Sequence, residues 1–314
     1  MSVKPLVIVG PTASGKTALS LDVARRLGGE IISMDSRQVY RGMDIGTAKV
    51  AAEQRLQVPH HGLDLVNPSE RFGAGEFARR SRIWIQDIAD RGKVPILVGG
   101  TGFFLRALTN PIFQEPELDP ERRRRLQGFL EAMDTQQLHI WLAALDPPTA
   151  ARLSSWGGRQ RLIRGLELPL LTGRPLSWWH RSAPSEAPAV RPLVMMLDIP
   201  RDQLYRAINS RVEEMRDAGL VEEVRGLVES GYHGSDPGMN ATGYAELLPY
   251  LKGDRSLEEA LELIRKNTRA YARRQLTWFR HQLPENSHWL DVTRAREDLV
   301  EEVATLWEPA SIER

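Results

Sequence analysis

The segment from Gly10 to Thr17 constrains the fold of this chain more than any other feature. It matches the pattern G-x-x-x-x-G-K-[ST] and stands between an apolar run, Leu6 to Val9, and a helical pattern that continues to Leu27. In such a loop the backbone amides converge on phosphate oxygens at a helix N-terminus, where the helix dipole favours an anion. The segment therefore predicts a polyphosphate site formed by Gly10, Pro11, Thr12, Ala13, Ser14, Gly15, Lys16 and Thr17.

The last two residues of this loop carry its most specific chemistry. Lys16 supplies a positive charge for the phosphates, and the Thr17 hydroxyl is a ligand suited to Mg²⁺. Loops of this type serve ATPases, GTPases and kinases, so the loop alone predicts binding of ATP or another nucleotide. Mg²⁺ is the cofactor that we expect.

Strands alternate with helices in the first hundred residues. Ile31 to Met34 predicts a second buried strand that ends at Asp35, and Ile96 to Val98 predicts a third that ends in Gly99-Gly100-Thr101-Gly102. A helix is expected from about Glu76 to Arg91, with four residues facing the core: Phe77, Ile83, Trp84 and Ile88. This alternation predicts an α/β fold, a parallel sheet flanked by helices on both faces.

The character of the sequence changes after Pro111. Residues 119–174 show helical patterns with Arg-rich runs, residues 182–192 resemble a linker, and strand character returns at Val194 to Leu197. The chain is therefore expected to be a P-loop-containing core interrupted by a helical insertion. We place the first part of the core at residues 1–113, the insertion domain at 114–190, and the second, mostly helical part of the core at 191–314.

The composition excludes several classes of protein. The chain has 314 residues and no cysteine, which excludes disulfides and thiolate metal sites. No apolar run is long enough to span a bilayer, and the N-terminus leads directly into the first strand without room for a signal peptide. His60-His61 lacks a third ligand at a suitable spacing, which predicts a structural role. These observations predict a cytoplasmic enzyme.

A basic segment without acidic residues lies between Glu262 and Glu285, although the net charge of the chain is only +1. On a helix, four of its cations share one face: Lys266, Arg269, Arg273 and Arg280. A stripe of this kind is the electrostatic footprint of a nucleic-acid backbone, and a solvated helix face is the alternative.

Residues 35–49 form a long block that reads Asp-Ser-Arg-Gln-Val-Tyr-Arg-Gly-Met-Asp-Ile-Gly-Thr-Ala-Lys, and further blocks stand at residues 58–64, 99–104, 161–167, 243–244 and 273–280. These blocks resemble those of the tRNA dimethylallyltransferases, the isopentenyl-tRNA transferases. The resemblance covers nearly the whole chain, and the absence of cysteine makes it closest to the bacterial form. Ser155-Trp156-Gly157-Gly158 departs from the His-Pro-Asn-Asp of the family.

The resemblance implies transfer of a dimethylallyl group from dimethylallyl diphosphate to the exocyclic N6 amine of the adenine 3′ of the anticodon in tRNA, with release of diphosphate. It also implies that the insertion domain binds tRNA, and we expect a monomer. Three alternatives remain: a prenyltransferase acting on free adenine nucleotides, a P-loop small-molecule kinase with Asp198 as a metal ligand, and a non-catalytic RNA-binding protein. The insertion and the basic stripe favour a large acceptor.

Asp35 and Thr101 are the predicted catalytic residues. Both follow parallel strands, so both should lie beyond the carboxyl ends of the sheet, near the phosphate loop. Asp35 would accept the proton of the amine as a general base, and Thr101 would orient the amine or the carboxylate. The family uses an additional arginine to clamp the diphosphate, and Arg211 is our choice for that role.

The target adenine must be splayed out of the anticodon loop to reach Asp35. Residues beside Asp35 are expected to read it, and the resemblance implies further contacts in the insertion domain, near residue 240 and on the basic helix. The predicted tRNA-binding residues are Asp35, Ser36, Arg37, Gln38, Thr101, Arg123, Arg159, Gln160, Arg161, Leu162, Ile163, Asn240, Gly243, Tyr244, Arg273, Arg274, Gln275 and Arg280.

Overall fold

The chain divides into two units in a computed structural model that describes residues 3–110, 113–153 and 158–312, with side chains placed up to residue 308. The first unit combines Met1–Asn110 with Ala189–Arg314, and the second is Pro111–Pro188. The family departure at residues 155–157 lies outside the described residues. No helix within the described ranges is long and apolar enough to cross a membrane.

A parallel six-stranded sheet forms the centre of the first unit, with the strand order β3-β2-β4-β1-β5-β6. Every residue of β1 is buried, as expected for a sheet covered on both faces, and the predicted α/β class is confirmed. Strand β3 was not predicted, because two residues give no periodic signal. The strands are β1 (Leu6–Val9), β2 (Gly29–Ser33), β3 (His60–His61), β4 (Val94–Gly99), β5 (Leu193–Asp198) and β6 (His288–Asp291).

In the sequence, the helices of the first unit lie both before and after the second unit. In α3, Phe77 and Ile88 are buried as predicted, but Ile83 is 67% exposed. The prediction for Ile83 is wrong because the buried row of this helix runs through Ser81 and Ile85 instead. The first helices are α1 (Lys16–Leu27), α2 (Ala52–Gln57), α3 (Ala74–Asp90) and α4 (Gly102–Thr109).

The second unit is helical, with a core of its own that includes Leu138, Leu142 and Leu166. The side chain of Glu167 is buried in this unit and pairs with Arg123 and Arg164, so its charge is compensated. Its helices are α5 (Pro120–Ala132), α6 (Thr135–Leu145), α7 (Pro147–Leu153), α8 (Arg159–Thr172) and α9 (Leu176–Ser182). The first unit then continues with α10 (Arg201–Asp217), α11 (Leu220–Glu229), α12 (Tyr244–Leu251), α13 (Leu257–Gln282) and α14 (Arg296–Ile312).

The carboxylate of Glu223 holds the loop at residues 44–46, which follows Asp35 in the sequence. Glu223 on α11 accepts hydrogen bonds from the backbone amides of Asp44, Ile45 and Gly46, at 2.8, 2.7 and 3.1 Å. The Tyr244 hydroxyl donates to the same carboxylate at 2.5 Å. A Cβ atom on Gly46 would lie 2.5 Å from the Tyr244 ring, so this position requires glycine. The loop is thereby fixed to α11 and α12.

Replacing Glu223 by glutamine is expected to destabilise the protein by about 3 kcal/mol, because an amide nitrogen would face backbone N–H groups. The free energy of unfolding in urea measures this loss. Glu222→Gln is the matched control, since Glu222 is exposed on the same helix and lies 3.6 Å from Arg225. That variant should stay within about 0.5 kcal/mol of wild type. Equal losses in both variants would contradict the role given to Glu223.

Candidate functional site

A cleft lies at the carboxyl ends of β1, β2 and β4. The phosphate loop forms one side, and Asp35, which follows β2, lies at another. The polar residues that line the cleft are Thr12, Lys16, Thr17, Ser20, Ser33, Asp35, Gln38, Thr47, His60, Arg211, Tyr271 and Gln275. The structure therefore brings the loop together with Asp35 and with Arg211 of α10, which lies almost two hundred residues later in the sequence.

The phosphate loop curls around the side chain of its own lysine. Lys16 Nζ donates to the carbonyl oxygens of Gly10 and Pro11, at 3.0 and 2.6 Å. Two loop residues adopt left-handed backbone conformations, Ala13 with φ +63° and Gly15 with φ +86°. The loop then passes directly into α1 at Lys16, which gives the helix N-terminus on which an anion binds favourably.

Two partly buried cations and one carboxylate set the charge of the cleft. Burial, reinforced by the positive charge of Arg211, lowers the pKa of Lys16 to about 7, while Asp35 acts in the opposite direction. Burial also lowers the pKa of Arg211, against the effects of Asp35 and Glu214. The side chain of Arg211 makes no hydrogen bond or salt bridge to any residue that the structure describes. An anion in the cleft would relieve this repulsion and give Arg211 a partner, which favours binding of a phosphate group.

Asp35 and Thr101 are linked through the backbone amides of Ser36 and Arg37. The Arg37 amide donates to Asp35 Oδ1 at 2.7 Å, and the Ser36 amide donates to Thr101 Oγ1 at 3.1 Å. Tyr271, which the sequence analysis missed, is hydrogen-bonded to Thr101. Burial and the charge of Asp35 raise the pKa of Tyr271 to about 12, so it is a neutral phenol at physiological pH.

The turn that carries Thr101 is packed too closely for side chains. A Cβ atom would lie 2.0 Å from the Met34 carbonyl oxygen at Gly99, 2.1 Å from Gln275 Nε2 at Gly100, and 2.2 Å from the Trp278 ring at Gly102. The turn is therefore held against the end of β2 and against α13. Trp278 serves this packing.

Gln275 joins this turn to the phosphate loop. Its Oε1 accepts from the Thr12 amide at 2.9 Å, and its Nε2 donates to the Gly100 carbonyl at 2.9 Å. The side chain is 6% exposed. Gln275 was predicted to contact tRNA, and in this structure both ends of its amide are used inside the first unit. The amide of Thr12 is likewise directed at Gln275.

Three other predicted tRNA contacts of the first unit have structural partners. Gln38 accepts from Ser33 and donates to the Thr47 carbonyl. Tyr244 is fully buried, and the buried Gly243 donates its amide to Glu246. In this structure these positions hold loops of the first unit in place, and their contact with tRNA stays a prediction. Arg37 donates to Asn240 Oδ1 at 2.9 Å, so these two predicted residues do lie together near Asp35.

The basic stripe on α13 is partly neutralised. Arg269 donates to Glu262 at 2.9 Å, whereas Arg273, Arg274 and Arg280 are exposed and have no acidic partner among the residues described. Arg273 Nη1 donates to the Tyr205 hydroxyl at 3.0 Å. The charge available to a polyanion is therefore concentrated in the C-terminal half of the helix.

In the second unit, the predicted tRNA-binding residues have mixed positions. The side chains of Leu162 and Ile163 are buried in its core, and their contact with tRNA stays a prediction. Arg159 donates to the Glu131 carbonyl at 2.7 Å and helps to close the end of α5. Arg123 is paired with Glu167 at 3.0 Å. Gln160 and Arg161 are exposed on α8.

Two alternative sites predicted or weighed from the sequence lack support. A metal ligand of a kinase should line the cleft that contains Thr17. Asp198, at the end of β5, is exposed and does not line it. His61 Nε2 lies 2.8 Å from Glu30, and His60 Nδ1 lies 2.6 Å from the Val58 carbonyl, as expected for structural histidines. Within the described ranges, no group of three acidic or histidine residues is arranged to hold a metal ion.

Comparison with known proteins identifies the family. The family model described as IPP transferase matches residues 38–282, and one described as isopentenyl transferase matches residues 3–59. The chain belongs to the IPP transferase family. Its members are transferases that modify tRNA, so this chain is an enzyme of that class.

Relatives match along most of the chain. A tRNA dimethylallyltransferase of Geobacter metallireducens is 47% identical over 88% of this chain and 89% of its own length. That of Geobacillus thermodenitrificans is 45% identical over 93% of this chain and 92% of its own. The crystal structure of the tRNA isopentenylpyrophosphate transferase of Bacillus halodurans is 38% identical, with a TM-score of 0.72, over 99% of this chain and 98% of its own. A eukaryotic dimethylallyltransferase acting on tRNA is 29% identical, with a TM-score of 0.79, over 93% of this chain and 74% of its own.

The charge of the cleft predicts that Arg211→Met weakens binding of inorganic pyrophosphate by about 10- to 100-fold, the range expected for a lost hydrogen bond to a charged group. Titration calorimetry measures the affinity. Arg206→Met is the matched control on the same helix, because Arg206 is exposed and pairs with Asp202 at 2.8 Å. Similar affinities for the two variants would remove Arg211 from the anion site.

Proposed function

We propose that this protein transfers a dimethylallyl group from dimethylallyl diphosphate to the N6 amine of the adenine 3′ of the anticodon in tRNA and releases diphosphate. The observation that carries the proposal is the position of one carboxylate, Asp35, in a cleft with two partly buried cations, Lys16 and Arg211. Membership of the IPP transferase family and the names of the relatives support the same reaction.

The phosphate loop and two cations hold the diphosphate. In the reaction, a bond forms between N6 of the adenine and C1 of the dimethylallyl group, while the bond from C1 to the diphosphate oxygen breaks and its electron pair leaves with the diphosphate. Lys16, Arg211 and the amides at the start of α1 stabilise the negative charge that develops there. Once they hold the diphosphate, these groups are in place for the charge that develops on the leaving oxygen.

Asp35 takes the proton that N6 loses. Its Oδ1 accepts from the Arg37 amide, which fixes the carboxylate and leaves Oδ2 as the oxygen for the amine. Thr101, hydrogen-bonded to the Ser36 amide and to Tyr271, holds the backbone beside Asp35 and presents a hydroxyl to the reacting amine. The amine is a poor nucleophile because its lone pair is delocalised into the ring, so removal of its proton assists bond formation.

Mg²⁺ fits the residues of the cleft. Thr17 places an exposed hydroxyl beside the diphosphate site, and Mg²⁺ is commonly held by one or two protein oxygens together with phosphate oxygens and water. The absence of an acidic cluster in the described parts of the chain agrees with this mode of binding. When bound, Mg²⁺ would neutralise part of the diphosphate charge.

The tRNA is held by surfaces of both units. On the first, Arg273, Arg274 and Arg280 of α13 meet the RNA backbone, and Arg37 with Asn240 contacts the target nucleotide beside Asp35. On the second, which serves as the tRNA-binding insertion domain, Gln160 and Arg161 are the exposed candidates. The protein acts as a monomer, and a tRNA substrate agrees with the cytoplasmic location expected from the sequence.

The single substitution Asp35→Asn tests the reaction and its proposed base. Unmodified tRNA is incubated with Mg²⁺ and dimethylallyl diphosphate, and its nucleosides are analysed by mass spectrometry. Wild type should add one dimethylallyl unit to the adenosine 3′ of the anticodon, and Asp35→Asn should lower the rate by about 10²- to 10⁴-fold while tRNA binding is retained.

Asp198→Asn is the matched control, because Asp198 is also a carboxylate that ends a strand of the sheet but is exposed outside the cleft. Its rate should equal that of wild type. Near-normal turnover by Asp35→Asn would exclude Asp35 as the base. Modification of free AMP in place of tRNA by wild type would favour the smaller acceptor.

Removal of two exposed charges, Arg273→Ala with Arg280→Ala, should weaken tRNA binding and flatten its salt dependence. Each lost phosphate contact lowers the slope of log K against log salt by about 0.7 to 0.9, so the double variant should lose about 1.4 to 1.8. Filter binding at several salt concentrations measures the slope. Arg225→Ala, which removes an exposed arginine of α11 near Glu222, should leave it unchanged. An unchanged slope in the double variant would place the stripe outside the RNA interface.

A further inference from the structure

Helix α13 has two different faces over a single turn. Arg273 and Arg274 are exposed, whereas Tyr271 and Gln275 lie on the side that lines the cleft. The Arg274 guanidinium lies 5.8 Å from the centre of the Tyr271 ring, so the two faces are in contact through this pair. A rigid helix of 26 residues therefore carries groups for RNA and groups for the cleft within five consecutive positions.

Gln275 is the residue through which this helix holds the phosphate loop. The donor and the acceptor that it satisfies are both backbone groups, the Thr12 amide in the loop and the Gly100 carbonyl in the turn before Thr101, each at 2.9 Å. Without the glutamine amide, a buried donor and a buried acceptor would lose their partners. A displacement of α13 therefore acts on the diphosphate side and on the catalytic side of the cleft together.

The surroundings of Gln275 fix the bridge in one geometry. The glutamine side chain is buried, and Gly100 leaves only the space that its amide occupies, since a Cβ atom there would lie 2.1 Å from Nε2. Its neighbours on the buried face are Ala272 and Phe279, both fully buried. A side chain that served only to fill space at this position would be apolar, as these two neighbours are.

We propose that Gln275 is a positioning residue that couples docking of RNA on α13 to binding of the diphosphate by the phosphate loop. The proposal rests on the proposed function, because it takes the exposed arginines of α13 as an RNA contact. RNA held by Arg273 and Arg274 fixes the helix, the helix fixes Thr12 through Gln275, and the loop then presents its amides to the diphosphate. Coupling of this kind is reciprocal, so diphosphate also increases the affinity for RNA.

The experiment measures the affinity of the full chain for inorganic pyrophosphate with Mg²⁺, in the absence and in the presence of saturating unmodified tRNA. In wild type, tRNA should increase this affinity at least about fivefold, the lower end of typical coupling between two sites. In Gln275→Met, which keeps the volume and loses both hydrogen bonds, the ratio of the two affinities should fall to within about twofold of one. The affinity of this variant for tRNA alone should stay within about twofold of wild type.

Gln282→Met is the matched control, because Gln282 is exposed on the same helix and its side chain accepts a long, 3.5 Å hydrogen bond from Arg106. It should retain the wild-type ratio. If Gln275→Met is too unstable to assay, Gly100→Ala tests the same bridge from the other side, since its methyl group displaces the Gln275 amide. The same loss of coupling is expected.

Coupling that persists in either folded variant, or its absence in wild type, would overturn the proposal. Transfer of the dimethylallyl group is measured on the same wild-type preparation, which separates this result from the proposed function. An inactive wild type would argue against the proposed reaction. An active wild type whose coupling survives Gln275→Met would overturn the role of Gln275 alone.

Discussion

The close packing of the Gly99–Gly102 turn is the constraint on which the site depends. This turn touches the end of β2 at the Met34 carbonyl and touches α13 at Gln275 and Trp278, at distances that leave no room for a Cβ atom. Asp35 directly follows Met34, and Thr101 lies within the turn. A larger residue at Gly99 or Gly100 would therefore separate the carboxylate, the hydroxyl and the helix. The packing of this one turn therefore sets the relative positions of the end of β2, the turn itself and α13.

The cleft combines charges that are unfavourable in the free protein. Lys16 and Arg211 lie near each other with Asp35 as a nearby carboxylate, and the pKa of Lys16 is lowered by desolvation first and by the charge of Arg211 second. Folding can hold this arrangement because Lys16 donates to two carbonyl groups of its own loop. A diphosphate would replace those carbonyls as the partner of Lys16 and would give Arg211 a partner that it lacks in the free protein. The charges of the cleft therefore favour occupation by an anion.

Much of this site could be predicted from the sequence because its signals are local. The phosphate loop is a contiguous pattern, and Asp35 and Thr101 follow from the rule that parallel strands end at one edge. Gln275 could not be assigned its role, since its partner Thr12 lies 263 residues away. Its burial was visible in principle, because it lies three residues after Ala272 and four before Phe279. Leu162, Ile163 and Tyr244 are buried, and a match to a family block does not by itself distinguish residues that contact a substrate from residues that hold its site.

The same distinction explains the basic helix. The predicted stripe gives the same weight to each of its cations, but Arg269 pairs with Glu262 in the structure, and its neighbour Arg265 pairs with Glu213, Glu258 and Glu262. Their charge fixes α13 against its neighbours and contributes little field outside the protein. The exposed arginines lie farther along, next to Tyr271 and Gln275, where the helix meets the cleft. Exposed Lys266 adds one charge to the first half of the helix, but most of the exposed positive charge lies in the second half, whose inner face contacts the phosphate loop and the turn that carries Thr101.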